Sequence, residues 1–218
     1  MKYSKLTGIV LKKQNFREAD QMITIWTQEA GKVRVMARGL KHAKSKLAYS
    51  MQDLCLVEFE TAGRGTMPSL IAAKVLKGYP NVRENLSKTV SAFYAVELML
   101  KMTADEQENP EAYQIMPDFL EYLNECESLP EPVFRIVDSF ALRLLKSLGF
   151  SLEYAQNSIH LPANLRDILN LLSESAYHEL PGLPLDDQIS KKAHNVVKDF
   201  IEFILERNIK SEPFLSGI

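Results

Sequence analysis

The segment Lys32-Val-Arg-Val-Met-Ala-Arg38 alternates between small or branched apolar residues and longer, mostly basic ones. In an extended strand, successive side chains point to opposite faces. This alternation sends Val33, Val35 and Ala37 toward a core, and it sends Lys32, Arg34, Met36 and Arg38 to the other face. The pattern predicts a strand with one apolar and one cationic face.

Four further segments of the first 80 residues show the same period of two, and turn residues separate them. The five predicted strands are Leu6–Lys13, Gln21–Thr27, Lys32–Gly39, Leu54–Thr61 and Ser69–Gly78. Glu29-Ala-Gly31 and Gly63-Arg-Gly65 are short enough for hairpin turns, because glycine adopts positive φ without a Cβ clash. Five short strands favour a small closed barrel such as the OB fold.

After Pro80 the period changes to that of helices. Predicted helices begin near Asn81, at Asn109-Pro110 and at Pro132, where asparagine caps or proline at the first position is favourable. The third carries an apolar stripe from Val133 to Leu148 and ends at Gly149, and two more are predicted near 162–172 and 190–207. The predicted class is therefore α+β with two domains, an OB-fold barrel over residues 1–80 and an all-α domain over residues 81–218.

Net charge divides the chain at the same place. Residues 1–80 carry 14 basic and six acidic side chains, a net charge of +8, whereas residues 81–218 carry 12 basic and 22 acidic ones, a net charge of −10. A basic module of this kind favours a polyanionic partner, although charge that merely drifts along a chain gives the same totals. Without a long apolar run or leader, and with only Cys55 and Cys126, we expect a cytoplasmic protein that does not bind membranes.

The cationic strand runs into a lysine-rich loop, residues 39–46. Basic side chains along a groove bind phosphates, and exposed aromatic rings stack on unpaired bases. The predicted nucleic-acid contacts are Lys32, Arg34, Arg38, Lys41, Lys44, Lys46 and Arg64, with Phe16, Trp26, Tyr49 and Tyr79 as candidates for stacking. A solvated lysine-rich hairpin and core aromatic residues are the alternative interpretation.

The order of motifs in this module resembles that of RecO, a family of bacterial recombination and repair mediators. The motifs are Gly8-Ile-Val-Leu11, Glu18-Ala-Asp20, Ile25-Trp-Thr27, Gly31-Lys-Val33, Ala37-Arg-Gly39, Ser45, Leu47, Gln52, Gly63-Arg-Gly65 and Leu70. Residues 140–150 also look like the family's central helix with the Gly-aromatic corner that follows it. The resemblance covers the first 80 residues well and the helical part thinly.

This resemblance implies an N-terminal OB fold, a helical domain, and binding rather than catalysis. Members of the family bind single- and double-stranded DNA, anneal complementary strands, and work with RecR to help RecA load, which implies a place at the nucleoid. They also contact the acidic, apolar C-terminal tail of the single-stranded DNA-binding protein through basic side chains of the helical domain. Arg135, Arg143 and Lys146 are the matching candidates in this chain.

Many members bind zinc through cysteine pairs after the Gly-aromatic corner, where this chain reads Ser151 to His160 without a cysteine. Because structural zinc needs four Cys or His ligands, we expect no metal, and we expect no other cofactor. The common catalytic and nucleotide-binding motifs are also missing, so we expect no enzymatic activity. Two other functions remain open, a protein-interaction scaffold and an RNA-binding OB protein.

Overall fold

The computed structural model of this protein describes residues 3–42, 45–63, 65, 67–130, 132–150 and 162–215. The chain divides into two compact units, residues 1–79 with 103–117 and residues 80–102 with 118–218, called here the barrel unit and the helical unit. The sequence predicts a single boundary near residue 80, and the structure adds residues 103–117 to the first unit.

Five strands form the sheet of the barrel unit. They are β1 (Tyr3–Asn15), β2 (Gln21–Thr27), β3 (Gly31–Ala37), β4 (Leu56–Ala62) and β5 (Ser69–Lys77), and a short helix, α1 (Lys46–Ser50), links β3 to β4. The strands pair in the order β1-β2-β3-β5-β4, and antiparallel pairing of β4 with β1 closes the barrel. This topology confirms the predicted OB fold.

Alternate residues of these strands fill the barrel. The core cluster contains Val10, Ile23, Ile25, Val35, Ala37, Val57 and Phe59, together with Leu40, Met51, Cys55 and Leu70. Val35 and Ala37 thus face inward, as the alternation of β3 predicts. The opposite face of β3 carries the side chains of the candidate site.

The turn between β2 and β3 fixes the start of the cationic strand. Thr27 Oγ1 donates a hydrogen bond to the Gly31 carbonyl oxygen at 2.7 Å, and the Ala30 N–H donates to Thr27 Oγ1 at 3.2 Å. Gly31 has φ of +64°, a conformation that L side chains rarely adopt. The predicted glycine turn is therefore confirmed at this position.

The helical unit consists of helices, one of which belongs partly to each unit. They are α2 (Pro80–Glu84), α3 (Leu86–Met102), α4 (Pro110–Glu125), α5 (Phe134–Ser147), α6 (Ala163–Glu174), α7 (Asp187–Leu205) and α8 (Glu212–Leu215), with a 3₁₀ turn at Leu180–Gly182. Residues 110–117 of α4 belong to the barrel unit and the rest to the helical unit. Among the helices so described, none is long and apolar enough to cross a membrane.

Helix ends follow from capping residues at some positions and differ from the prediction at two starts. One is that of α5, which begins at Phe134 rather than at Pro132. Asn109 Oδ1 accepts from the Ala112 N–H at 2.9 Å, which confirms Asn109 as a cap, and Gly149 follows α5 with φ of +81°. Asn81, however, lies inside α2, and its side-chain amide donates to the Asn124 carbonyl oxygen at 2.8 Å. Asn85 caps the long helix instead, since its Oδ1 accepts from the Lys88 N–H at 3.0 Å.

Helix α5 is the centre of the helical unit. Its stripe of Ile136, Val137, Phe140, Leu144 and Leu145 is buried, as the sequence predicts. Asp138 Oδ1 lies 2.8 Å from Nδ1 of the buried His194 on α7, and His194 Nε2 lies 3.6 Å from Glu212 Oε1 on α8. Burial alone would lower the pKa of His194, but the two carboxylates outweigh it and raise that pKa. This cluster ties three helices together.

Candidate nucleic-acid interface

The outer face of β3 is cationic but only partly open. Arg34 and Arg38 are exposed, whereas Lys32 retains only 6% of its exposure and Met36 is also buried. Two of the four outward residues, Arg34 and Arg38, are therefore exposed to solvent.

Lys32 is covered by residues 103–108, a segment called here the acidic strap. Lys32 Nζ donates to the Thr103 carbonyl oxygen at 2.6 Å and lies 3.4 Å from Asp105 Oδ1. Burial, with a smaller contribution from the charge of Arg34, lowers the pKa of Lys32. The structure thus gives the ammonium group of Lys32 partners within the protein, and its contact with nucleic acid stays a prediction.

Two of the aromatic candidates are also buried. Trp26 pairs with Lys32 across β2 and β3 and is 1% exposed, and Tyr79 is 2% exposed. Neither ring has a free face for a base in this structure, so stacking by Trp26 and Tyr79 stays a prediction that their burial does not support. Phe16 and Tyr49, at 52% and 75% exposure, retain the surface that stacking requires.

Phe16 belongs to a groove at the other end of β3, called here the arginine groove. The groove has a volume of about 350 Å³ and is lined by Phe16, Arg17, Asp20, Met36, Arg38, Met67 and Ser69. These residues come from the β1–β2 loop, from β3, and from the β4–β5 connection. In OB folds, this combination of loops and strand face is where oligonucleotides bind.

Charge in the arginine groove is available to a ligand. Arg17 and Arg38 form no ion pair with any residue in the described ranges, and the guanidinium carbon of Arg17 lies 5.5 Å from the centre of the Phe16 ring. The groove thus offers two cations and one exposed aromatic ring. This is the donor set that phosphates and an unstacked base require.

Backbone hydrogen bonds hold the β1–β2 loop against the end of β3. The Phe16 N–H donates to the Asp20 carbonyl oxygen at 3.1 Å, and the Gly39 N–H donates to Asp20 Oδ1 at 2.8 Å. The Lys41 N–H also donates to the Ala19 carbonyl oxygen at 3.1 Å. The arginine groove is therefore formed before a ligand binds, with Asp20 engaged by a backbone amide.

The lysine-rich loop is described only in part. Lys41 is exposed, and Tyr49 projects from α1, a helix that the sequence pattern does not predict because five residues are too few to show a period. Lys44 and Arg64 lie outside the described residues, and of Lys46 only the backbone, at the start of α1, is described. Their predicted contacts with nucleic acid stay predictions.

The acidic strap forms a second groove beside the arginine groove. It has a volume of about 250 Å³ and is lined by Lys32, Arg34, Met67, Asp105 and Glu106. Asp105 forms an ion pair with Arg34, and Met67 lines both grooves. The predicted contact Arg34 is therefore exposed but already paired with a carboxylate.

Sequence reasoning missed Arg17, Met67 and Asp105 as members of this site. A signal existed for Arg17, because the loop between the first two strands of an OB fold commonly binds ligand. Nothing local distinguished Asp105, which lies 71 residues from Arg34 along the chain.

The predicted partner site on the helical unit is not brought together as expected. Arg135 is only 8% exposed, and its guanidinium donates to Ser190 Oγ at 3.1 Å and to the Pro181, Leu183 and Leu185 carbonyl oxygens. The structure therefore places Arg135 inside the helical unit, bound to Ser190 and to the 180–185 loop, and its role in partner binding stays a prediction. Arg143 donates to the Ser175 carbonyl oxygen and lies 4.3 Å from the Tyr177 ring centre, and the exposed Lys146 pairs with Glu174 at 2.6 Å.

The described residues hold no group of three or more His, Cys, Asp or Glu side chains arranged to bind a metal. The stretch in which the sequence departs from the zinc-binding pattern, residues 151–161, lies outside them. The polar side chains that line the two grooves belong to arginine, lysine, serine, aspartate and glutamate residues. The arrangement is suited to binding anions.

Two family models match this chain. The model described as "Recombination protein O N terminal" matches residues 1–79, and the one described as "Recombination protein O C terminal" matches residues 83–156. The first match ends where the barrel strands end, and the second covers α3 to α5.

Curated relatives carry the name "DNA repair protein RecO". The one from Listeria monocytogenes serotype 4b is 31% identical over 145 residues, which is 66% of this chain and 55% of that protein. The one from Geobacter metallireducens is 30% identical over 75% of this chain and 66% of its own length, and the one from Bacillus mycoides is 25% identical over 94% and 82%. The chain thus spans little more than half the length of the first of these relatives.

Proposed function

Because the chain belongs to the RecO family, we propose that it acts in DNA repair and recombination as a DNA-binding mediator rather than as an enzyme. The single observation that carries the proposal is the arginine groove, which places Arg17 and Arg38 beside the exposed ring of Phe16. Contacts of this kind position a strand through its phosphates without reading its sequence.

In this proposal the barrel unit binds both single- and double-stranded DNA. Phosphate contacts by Arg17, Arg38 and Lys41 serve either form, whereas stacking on Phe16 requires an unpaired base. Neutralised phosphates allow two complementary strands to approach each other, which is the physical requirement for annealing. The preformed groove supports binding without a large rearrangement of the protein.

The proposed partners rest on the family. We infer that the chain works with RecR and with the C-terminal tail of the single-stranded DNA-binding protein to load the recombinase. On the helical unit, only Lys146 of the three predicted partner contacts is exposed as a side chain, and Arg143 is half-buried. An acidic tail bound near Lys146 would compete with Glu174 for its ammonium group.

Fluorescence anisotropy with a labelled single-stranded oligonucleotide, repeated at several salt concentrations, tests the proposal. We expect binding that weakens steeply with salt, and we expect the Arg17→Ala/Arg38→Ala variant to reduce the slope of log K against log [salt] by about 0.7 for each lost contact. Lys5→Ala is the matched control, because Lys5 is an exposed cation of the same barrel that pairs with Glu58 at 2.9 Å and lines neither groove.

Absence of binding at low salt would contradict the proposal and favour a protein-interaction scaffold. Equal loss in the Lys5→Ala control would show that binding follows net charge rather than the arginine groove. Competition with an RNA strand of the same sequence separates the DNA-binding proposal from the RNA-binding alternative.

A further inference from the structure

The acidic strap is bound to β3 by two kinds of contact. Its backbone is fixed to Lys32, because the Glu106 N–H donates to the Lys32 carbonyl oxygen at 2.9 Å and Lys32 Nζ donates to the Thr103 carbonyl oxygen at 2.6 Å. Its side-chain contacts are the ion pairs that Asp105 forms with Arg34 and, at 3.4 Å, with Lys32. The backbone contacts hold the strap in place whether or not the ion pair forms.

The strap and the first turns of α4 also change the charge of the barrel unit. Residues 103–117 carry four carboxylates and no basic side chain, so they lower the net charge of that unit from +8 to +4. A carboxylate on a guanidinium makes the contact that a phosphate would make. Arg34 is the exposed cation of β3 that such a contact occupies.

The ion pair between Asp105 and Arg34 lies close to the arginine groove. Arg34 and Arg38 lie on the same face of β3, four residues or about 13 Å apart, and Met67 lines the grooves around both. A strand held by Arg17 and Arg38 and continuing along β3 therefore reaches the Asp105–Arg34 pair. Its phosphate and the Asp105 carboxylate would require the same donors.

We propose that the acidic strap is an intramolecular competitor of the DNA backbone, in which Asp105 occupies the guanidinium of Arg34 and limits how tightly the barrel holds a strand. This inference rests on the proposed function and names the regulation of the same site. A phosphate must displace one carboxylate to gain Arg34, so binding weakens and release becomes easier. A mediator that transfers a DNA strand to another protein requires such release.

The test compares DNA affinity by anisotropy for the full chain carrying Asp105→Asn, with Glu108→Gln as the matched control. Both changes remove one negative charge from the strap, but Glu108 is exposed and lines neither groove. We expect Asp105→Asn to raise affinity for single strands about three- to fivefold at low salt, the range of an exposed ion pair. The salt slope should steepen by about 0.7, and Glu108→Gln should change affinity by less than about 1.5-fold.

A double variant shows whether the effect passes through Arg34. In an Arg34→Ala background, Asp105→Asn should give no gain, because no guanidinium remains to be released. Asp105→Glu keeps the charge and should restore wild-type affinity, and equal urea midpoints for all variants establish that the fold is intact.

Unchanged or weaker binding by Asp105→Asn, while Arg17→Ala/Arg38→Ala still reduces affinity, would overturn the competitor proposal and leave the proposed function standing. Weaker binding in particular would assign Asp105 the opposite role of orienting Arg34 toward phosphate. Absence of binding by every variant and by the wild-type chain at low salt would overturn the proposed function itself and this inference with it.

Discussion

The Gly31 backbone and the Gln107 carbonyl group are in contact: a β-carbon built on Gly31 would lie 1.9 Å from the Gln107 oxygen. Real carbon and oxygen atoms do not approach so closely, and Gln107 can move only if the strap backbone moves with it. Glycine at the β2–β3 turn is therefore required twice, once for its φ of +64° and once for the approach of the acidic strap.

Gly31→Ala should destabilise the protein by about 2 to 4 kcal/mol, because it combines a positive φ with a collision against backbone. Urea unfolding followed by circular dichroism measures the change. Gly78→Ala is the matched control, since Gly78 has open space around its Cβ position and no positive φ. An alanine at 31 as well tolerated as one at 78 would contradict the strap contact.

Phe16→Ala should weaken binding of single-stranded DNA by about 1 to 3 kcal/mol, the usual contribution of one stacked base. Duplex DNA should bind nearly as well as before, because its bases already stack on one another. Anisotropy titrations with a single strand and its duplex check both statements. Phe203→Ala, which removes another exposed phenylalanine, on the helical unit, should change neither affinity. Equal losses for both DNA forms would rule out stacking.

Acid should unfold the protein partly through Glu97. Burial raises the pKa of Glu97, but hydrogen bonds from Lys101, Ser211 and Lys210 outweigh it and hold the pKa at about 2. A carboxylate with a lowered folded-state pKa stabilises the fold fully above its unfolded value of 4.5 and loses that contribution as pH falls toward 2. Urea midpoints between about pH 6 and about pH 2.5 should therefore fall more steeply for wild type than for Glu97→Gln.

The control for this titration is Glu84→Gln, which removes an exposed glutamate of α2. It should keep the wild-type dependence on pH. If Glu97→Gln and the wild-type chain lose stability in parallel, the hydrogen bonds from Lys210 and Ser211, at 2.9 Å and 2.7 Å, do not bind the ionised form selectively.

Arg135→Met should lower the free energy of unfolding by about 2 to 4 kcal/mol, because it removes the hydrogen bonds that the buried guanidinium donates to Ser190 and to the Pro181, Leu183 and Leu185 carbonyl oxygens. Lys146→Ala should change it by no more than about 0.5 kcal/mol, since that exposed pair with Glu174 is screened by solvent. Thermal or urea unfolding distinguishes the two. A stable Arg135→Met variant that fails to bind a partner peptide would return Arg135 to the role predicted from sequence.

Local pattern was sufficient for most of the fold. The bounds of β2 coincide with those predicted, and the inward positions of β3 follow from its alternation, because strand period and turn residues are encoded within a few neighbours. The caps at Asn109 and Gly149 were equally local. Asn81 was predicted as the cap of the long helix because Asn81 and Asn85 are both suitable N-cap residues, and the sequence pattern does not distinguish them. The structure uses Asn85.

The site was harder to predict because exposure depends on distant segments. Lys32 and Arg34 have the same pattern in sequence, and only the strap, 71 residues later, separates a buried lysine from an exposed, paired arginine. A charged residue beside an apolar helical stripe is expected at the surface, and Arg135 has this pattern in the sequence. In the structure, a loop about 50 residues further along the chain covers its side chain. The period of the sequence predicts which face of a helix or strand a residue lies on. It does not predict which other segment covers that face.

The bridge between Lys32 and Asp105 also completes the sheet. Among the described residues, β5 pairs with β3 at Met36 and Ser69, near the end of β3. At the start of β3, the Glu106 N–H donates to the Lys32 carbonyl oxygen instead. Unpaired strand edges recruit other chains and promote aggregation. A chain cut after residue 79 would keep all five strands and lose this cover, so the smallest well-behaved form of the barrel must include residues from beyond the third helix.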